Sequence, residues 1–445
     1  MCLFQVLQIC PFLKSYTSIR STALFLIFRF ILAVSIFIVP ILGNLVPVYP
    51  VENDTNDGTH VLVQNQIKAT IEFNDVQGKE SFKHYAEEIM AYCQDGNEHC
   101  PMLSLNKLNK TVTQQDVLRT FSHLNLLYDK SGFSCHDVGH HLGSWLYYYT
   151  RDLKEALNHA SLFCGGSNYH GILISYFEEK YPVQNVNKYD IKIANLCPID
   201  QENVNWMHER DCFHGIGHGL TKLYNYNTTA AVSHCDEIMR LWAQSACSRG
   251  VFMENNDYFV QTGKGDFDKK VIYSPCDKTI EKFAPQCYYT HPWHLLETNN
   301  YSYESYNDTF AQCDNISPDK FVKYCYDGIG RSLEYVGFRN PEEAIKICYQ
   351  GNQQSYYNDC LKGTVKSMLK QDAKTGPAFK YCGLTDSGFI SECHKIIGMW
   401  IKAFLSPNLK ELERECSKTV EIDYVTDCIN ASDETNVQAN VFEPM

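Results

Sequence analysis

Two segments of this chain repeat a histidine pair at helical spacing, CHDVGH at Cys135 and CFHGIGH at Cys212. The pairs are His136 with His140 and His214 with His218, and residues four apart share one side of an α-helix. Each pair can offer two ring nitrogens to a single transition metal at about 2.1 Å. His170 takes the corresponding place in NYHGILISYFE, residues 168–178, which brings the set to five imidazoles in three neighbouring segments. His294 and Glu297 form a His-x-x-Glu pair, and Glu178 and Glu254 are further oxygen donors. The pattern predicts metal ligands at His136, His140, His214, His218 and His294. His170, Glu254 and Glu297 are expected to act as ligand, acid or base, and Asp137 to orient a ligand histidine. Zinc, iron and copper all accept imidazole, so the expected cofactor is a divalent transition metal of unspecified identity.

Packing histidines inherited by duplication are the competing explanation. Against it, other repeats differ at just these positions. Aligned on their first cysteine, the later segments read CSRGVFMEN, CYYTHPWHLLE, CYDGIGRSLEY, CLKGTVKSM and CHKIIGMWI. The residue before the shared glycine is His, then Arg249, Tyr289, Asp327, Lys362 and Lys395; four residues on stand Met253, Trp293, Arg331, Lys366 and Met399. A purely structural face would be aliphatic there.

The cysteines indicate what positions these residues. Cys197/Cys212, Cys235/Cys247, Cys276/Cys287, Cys313/Cys325, Cys348/Cys360, Cys382/Cys393 and Cys416/Cys428 form seven pairs 11 to 15 residues apart, and their second members recur every 33 to 40 residues. Such a period holds two helices and a turn, the unit of an α/α solenoid. Each hairpin then carries its own disulfide, and closing a loop of about 12 residues contributes about 3 kcal/mol by the chain-entropy model. The expected fold is all-α, a superhelical solenoid of disulfide-stapled hairpins over residues 81–430. Glycine three residues after the cysteine, as at Gly215, Gly250, Gly328 and Gly363, with Gly171 in the same column, predicts close approach of neighbouring backbones. Cys93, Cys100, Cys135 and Cys164 allow three connectivities; one joins Cys135 to Cys164 and leaves Cys93 with Cys100.

On period and paired cysteines, residues 120–430 resemble disulfide-stapled helical-hairpin repeats of the tetratricopeptide class. The resemblance implies the fold alone, because the W-x₂-L-G-x₂-Y consensus is absent. The His136-Asp137 dipeptide also looks like the dyad of HD-type metal phosphohydrolases. Only those two residues carry over, and a disulfide-stapled array departs from that fold.

So many cysteines without CxxC clusters imply oxidised disulfides and an extracytoplasmic domain. Residues 23–43 are apolar apart from Arg29 and Ser35, long enough to span a bilayer. Basic residues precede that segment and acidic ones follow it, which orients residues 1–22 inward. It reads as a signal anchor, with a cleaved signal peptide as the alternative. Residues 44–80 read as a linker and 431–445 as a disordered tail. Seven glycosylation sequons, at Asn53, Asn109, Asn227, Asn300, Asn307, Asn315 and Asn430, accord with exposure outside the cytoplasm. A net charge of −13 with no basic run in the large domain argues against nucleic acid and favours cationic ligands. A second function fits the same fold: a scaffold that binds a protein, peptide or glycan on a tyrosine-rich concave face, with structural histidines.

Overall fold

The computed structural model describes residues 81–431, with breaks at 94–98, 132–134, 163, 182–190, 198–205, 269–270, 272, 373–374 and 406–408. The expected inward segment 1–22, the apolar segment 23–43, the linker 44–80 and residues 432–445 of the tail lie outside it. Among the described residues the fold is all-α, without a strand, and no helix is long and apolar enough to cross a membrane.

The chain opens with α1 (Ser81–Tyr92), α2 (Cys100–Leu108) and α3 (Gln114–Ser131), followed by α4 (His136–Thr150), α5 (Leu153–His159) and α6 (Ser167–Lys180). Next come α7 (Trp206–Leu223), α8 (Thr228–Cys235), α9 (Leu241–Thr262), α10 (Ala284–Thr298), α11 (Tyr303–Asp314) and α12 (Val322–Arg331). The remainder are α13 (Glu334–Arg339), α14 (Pro341–Cys348), α15 (Tyr357–Asp372), α16 (Thr375–Gly383), α17 (Ile390–Leu405), α18 (Leu409–Cys416) and α19 (Val425–Asn430). The helices α5, α8, α11 and α14 are short outer members, each started by a side chain that accepts a hydrogen bond from the third helical N–H: Asp152, Asn227, Ser302 and Asn340.

The inner helices α4, α6, α7, α9, α10, α12, α15, α17 and α19 pack on one another in chain order. All seven expected pairs are disulfides, and the remaining cysteines in the described residues join as Cys93–Cys100 and Cys135–Cys164. Their Cα atoms lie 5.3 to 5.8 Å apart, ordinary disulfide spacing. These nine bridges suit an oxidising compartment.

Stacking in order does not leave the inner face open. Helix α15 reaches back to the turn at 164–166, and α17 touches α7, so late repeats face early ones across the middle. Between them lies a cavity of about 700 Å³. Burial on nearly every side explains why α6 and α9 lack an apolar stripe: Ser167 through Ser175 are all buried, as are Ala246 through Phe252.

Candidate metal centre

Glycine sets how near the histidine-bearing helices come. A Cβ added at Gly171 of α6 would lie 1.9 Å from the His140 carbonyl oxygen of α4, and one at Gly250 of α9 would lie 2.0 Å from that of His214 in α7. Only a residue without a side chain fits there. Gly328 and Gly363 make the same approach to Tyr289 and Asp327, so the recurrent glycine does bring backbones together. Ser144 Oγ donates to the Gly171 carbonyl at 3.2 Å, and Thr221 Oγ1 to Val251 at 3.2 Å, fixing the helices lengthwise. Imidazoles carried beside these contacts then meet across neighbouring helices.

The five expected imidazoles of the early repeats do converge. Ring nitrogens of His136, His140 and His170 form one group, and those of His170, His214 and His218 a second; within each, the atoms lie within 4.8 Å of one another. His170 belongs to both. Its Nδ1 is 3.0 Å from His140 Nε2, its ring stacks on His218 with centroids 4.2 Å apart, and its Nε2 is buried without a hydrogen-bond partner.

His214 and His218 show the sharpest geometry. His214 Nδ1 lies 3.0 Å from the Ala246 carbonyl, which only accepts, so this nitrogen carries the proton. His218 Nδ1 lies 2.8 Å from Glu254 Oε2 and donates to that carboxylate. In both neutral rings Nε2 is therefore the bare lone pair, and the two Nε2 atoms face each other at 3.4 Å. Two lone pairs in a buried site repel. Two ligands about 2.05 Å from a tetrahedral ion stand about 3.3 Å apart, so a cation between them would turn repulsion into coordination. His170, stacked flat on His218, brings a third imidazole beside this pair.

Charge states favour metal. Burial holds His140, His170 and His214 well below the usual histidine range, and neighbouring positive charge adds to this. His218 is lowered by burial against the opposing pull of Glu254. These rings are neutral near pH 7, the form that ligates. Burial alone would raise the Glu254 carboxyl, but the hydrogen bond from His218 and the Lys222 ammonium, 3.7 Å away, bring it below the ordinary value. Glu254 thus orients His218. Asp257, one turn further along α9, forms a third ligand group with His218 and Glu254. Burial and the Glu254 charge raise its carboxyl well above the usual range.

The other candidates are dispersed. His294 stands apart from the five imidazoles: it packs against Phe259, Phe267 and His291, and burial pushes it down to about 4. The cavity-facing column of α10 is Tyr289, Trp293 and Glu297, and one further residue turns a side chain about 100° away from it. Glu297 does line the cavity and accepts a hydrogen bond from Tyr301 at 3.1 Å. Burial raises the Glu178 carboxyl against the pull of Lys222. Asp137 lies beside His136, with Oδ1 3.9 Å from Nδ1. His208, His234 and His394, outside the histidine column, hydrogen-bond Tyr169, Tyr224 and Thr419 respectively.

Neither a family model, nor a curated protein, nor a solved structure matches this chain.

Proposed function

We propose that this protein binds a divalent transition metal, zinc, iron or copper, through His214 and His218 with His170 as third ligand. His136 and His140, sharing His170, supply a second ligand set next to the first. The facing lone pairs of His214 and His218, 3.4 Å apart in a buried site, carry the reading. A three-histidine site with an open position beside a cavity of about 700 Å³ suits a small-molecule ligand and a metal-dependent enzyme. An ion held there would act as a Lewis acid or lower the pKa of a bound water. The chain's own part is to orient the rings through Ala246 and Glu254, and to place Glu297 and a protonated Asp257 on the wall as acid or base. The domain carrying the site lies outside the cytoplasm, held to the membrane by residues 23–43.

The test is elemental analysis of the full-length oxidised protein after anaerobic reconstitution. One or more transition-metal ions per chain are expected, with loss of at least about a hundredfold in affinity in His214→Ala/His218→Ala. Absence of bound metal, or unchanged affinity in the double variant, contradicts the reading.

A further inference from the structure

Cationic side chains line the same cavity as the histidines. Arg249 from α9, Arg331 from α12 and Lys366 from α15 gather around one ring, with their charged groups 4.5, 5.8 and 5.7 Å from the centroid of Tyr289. Lys370, one turn beyond Lys366, lines the same cavity. Such convergence of like charges in a buried space needs compensation. Lys366 has it, in the Asp327 carboxylate 2.5 Å away.

Arg331 and Lys370 do not. Among the described residues neither forms an ion pair, and Arg331 Nη1 is buried without a hydrogen-bond partner. Arg331 Nη2 meets only the Met253 sulfur at 3.6 Å, a weak acceptor. Glu334, on the same wall, is raised to about 7 by burial despite the pull of both cations. Burial, together with the charges of Arg210, Arg249 and Arg331, brings Lys370 down to about 7, and the Lys370 charge reaches His214 across the cavity. The overall charge of −13 thus says little about this wall, where cations from three helices converge on one ring.

We propose that Arg331 and Lys370, with Arg249 behind them, receive the oxyanion of a small molecule whose other end lies at the histidine cluster. The second half of this statement rests on the metal reading; the anion site itself does not. Guanidinium and ammonium groups bind phosphate, sulfate or carboxylate through charge-assisted hydrogen bonds. Tyr289 and Trp293, also on the wall, give the body of such a molecule an aromatic surface.

The experiment is calorimetric titration of inorganic phosphate, and separately sulfate, into the full-length oxidised protein, with and without metal. Saturable binding is expected in both forms, weakened at least about tenfold by Arg331→Gln or Lys370→Gln, with metal content and melting temperature kept. No saturable binding, or undiminished affinity in the Arg331→Gln/Lys370→Gln double variant, overturns the proposal. Titration of His214→Ala/His218→Ala separates the two readings. Phosphate binding that persists there supports the anion site whatever becomes of the metal. Metal bound by the wild type without any phosphate binding defeats this inference alone.

Discussion

Helices α4, α6 and α7 present one face to the central cavity, and α9, α10, α12 and α15 present the equivalent face further along the array. Both regions use the same disulfide-stapled hairpins and the same glycine contacts, Gly171 against His140 in one and Gly363 against Asp327 in the other. They differ in what stands beside the glycine. The early helices carry His136 and the neutral lone-pair donors His170 and His214, and the late ones carry Arg249, Arg331, Lys366 and Lys370, donors of hydrogen bonds. One repeat architecture thus places imidazoles in one part of the cavity wall and most of the cations in another. Position in the array, more than the fold of the unit, decides the chemistry.

The strongest way to break this comparison is to disturb its shared part. Gly250→Ala sets a Cβ 2.0 Å from the His214 carbonyl, and Gly363→Ala does the same against Asp327. Both are expected to destabilise the protein by roughly 3 kcal/mol or more, because backbone cannot move aside cheaply. Denaturant unfolding checks this, and equal cost in both halves supports a common packing device. Only Gly250→Ala is expected to lower metal affinity.

Next in size is Glu254→Gln. It removes the carboxylate that holds His218, and a fall in metal affinity of about 10- to 100-fold is expected with phosphate binding unchanged. Competition titration against a chelating dye measures it. An unaltered affinity would leave Glu254 as a packing residue.

A third test concerns pH in the metal-free protein. Burial keeps His140, His170, His214 and His218 below their ordinary value of 6.5, so under that pH the unfolded chain takes up protons that the folded one refuses. Stability is therefore full above about pH 6.5 and falls as pH drops, by up to about 1.4 kcal/mol per unit for each such histidine. Melting curves from pH 7.5 to 5 test the sign, and His170→Gln/His214→Gln is expected to flatten the slope.

Much of this was legible in the sequence because it repeats. Paired cysteines announced the hairpins, and the positions before each glycine and four residues on announced much of the cavity wall, from His136, His170 and His214 to Arg331 and Lys366. Extending the column by one more turn would have reached Asp257 and Lys370, which the four-residue pattern missed. Other features depend on contacts no local pattern contains. Glu254 meets His218 across 36 residues, and the return of α15 to residues 164–166, which turns a concave face into a cavity, follows from accumulated packing angles. His294 shows the limit of spacing: a histidine near an acid at helical spacing stands one residue out of register with the wall.

X-ray absorption at the metal edge of the reconstituted full-length protein reads the ligands themselves. Three imidazole ligands at about 2.0–2.1 Å are expected, reduced in number when His218 is replaced by alanine. A spectrum showing oxygen ligands alone, or an imidazole shell untouched by that substitution, would contradict the three-histidine site.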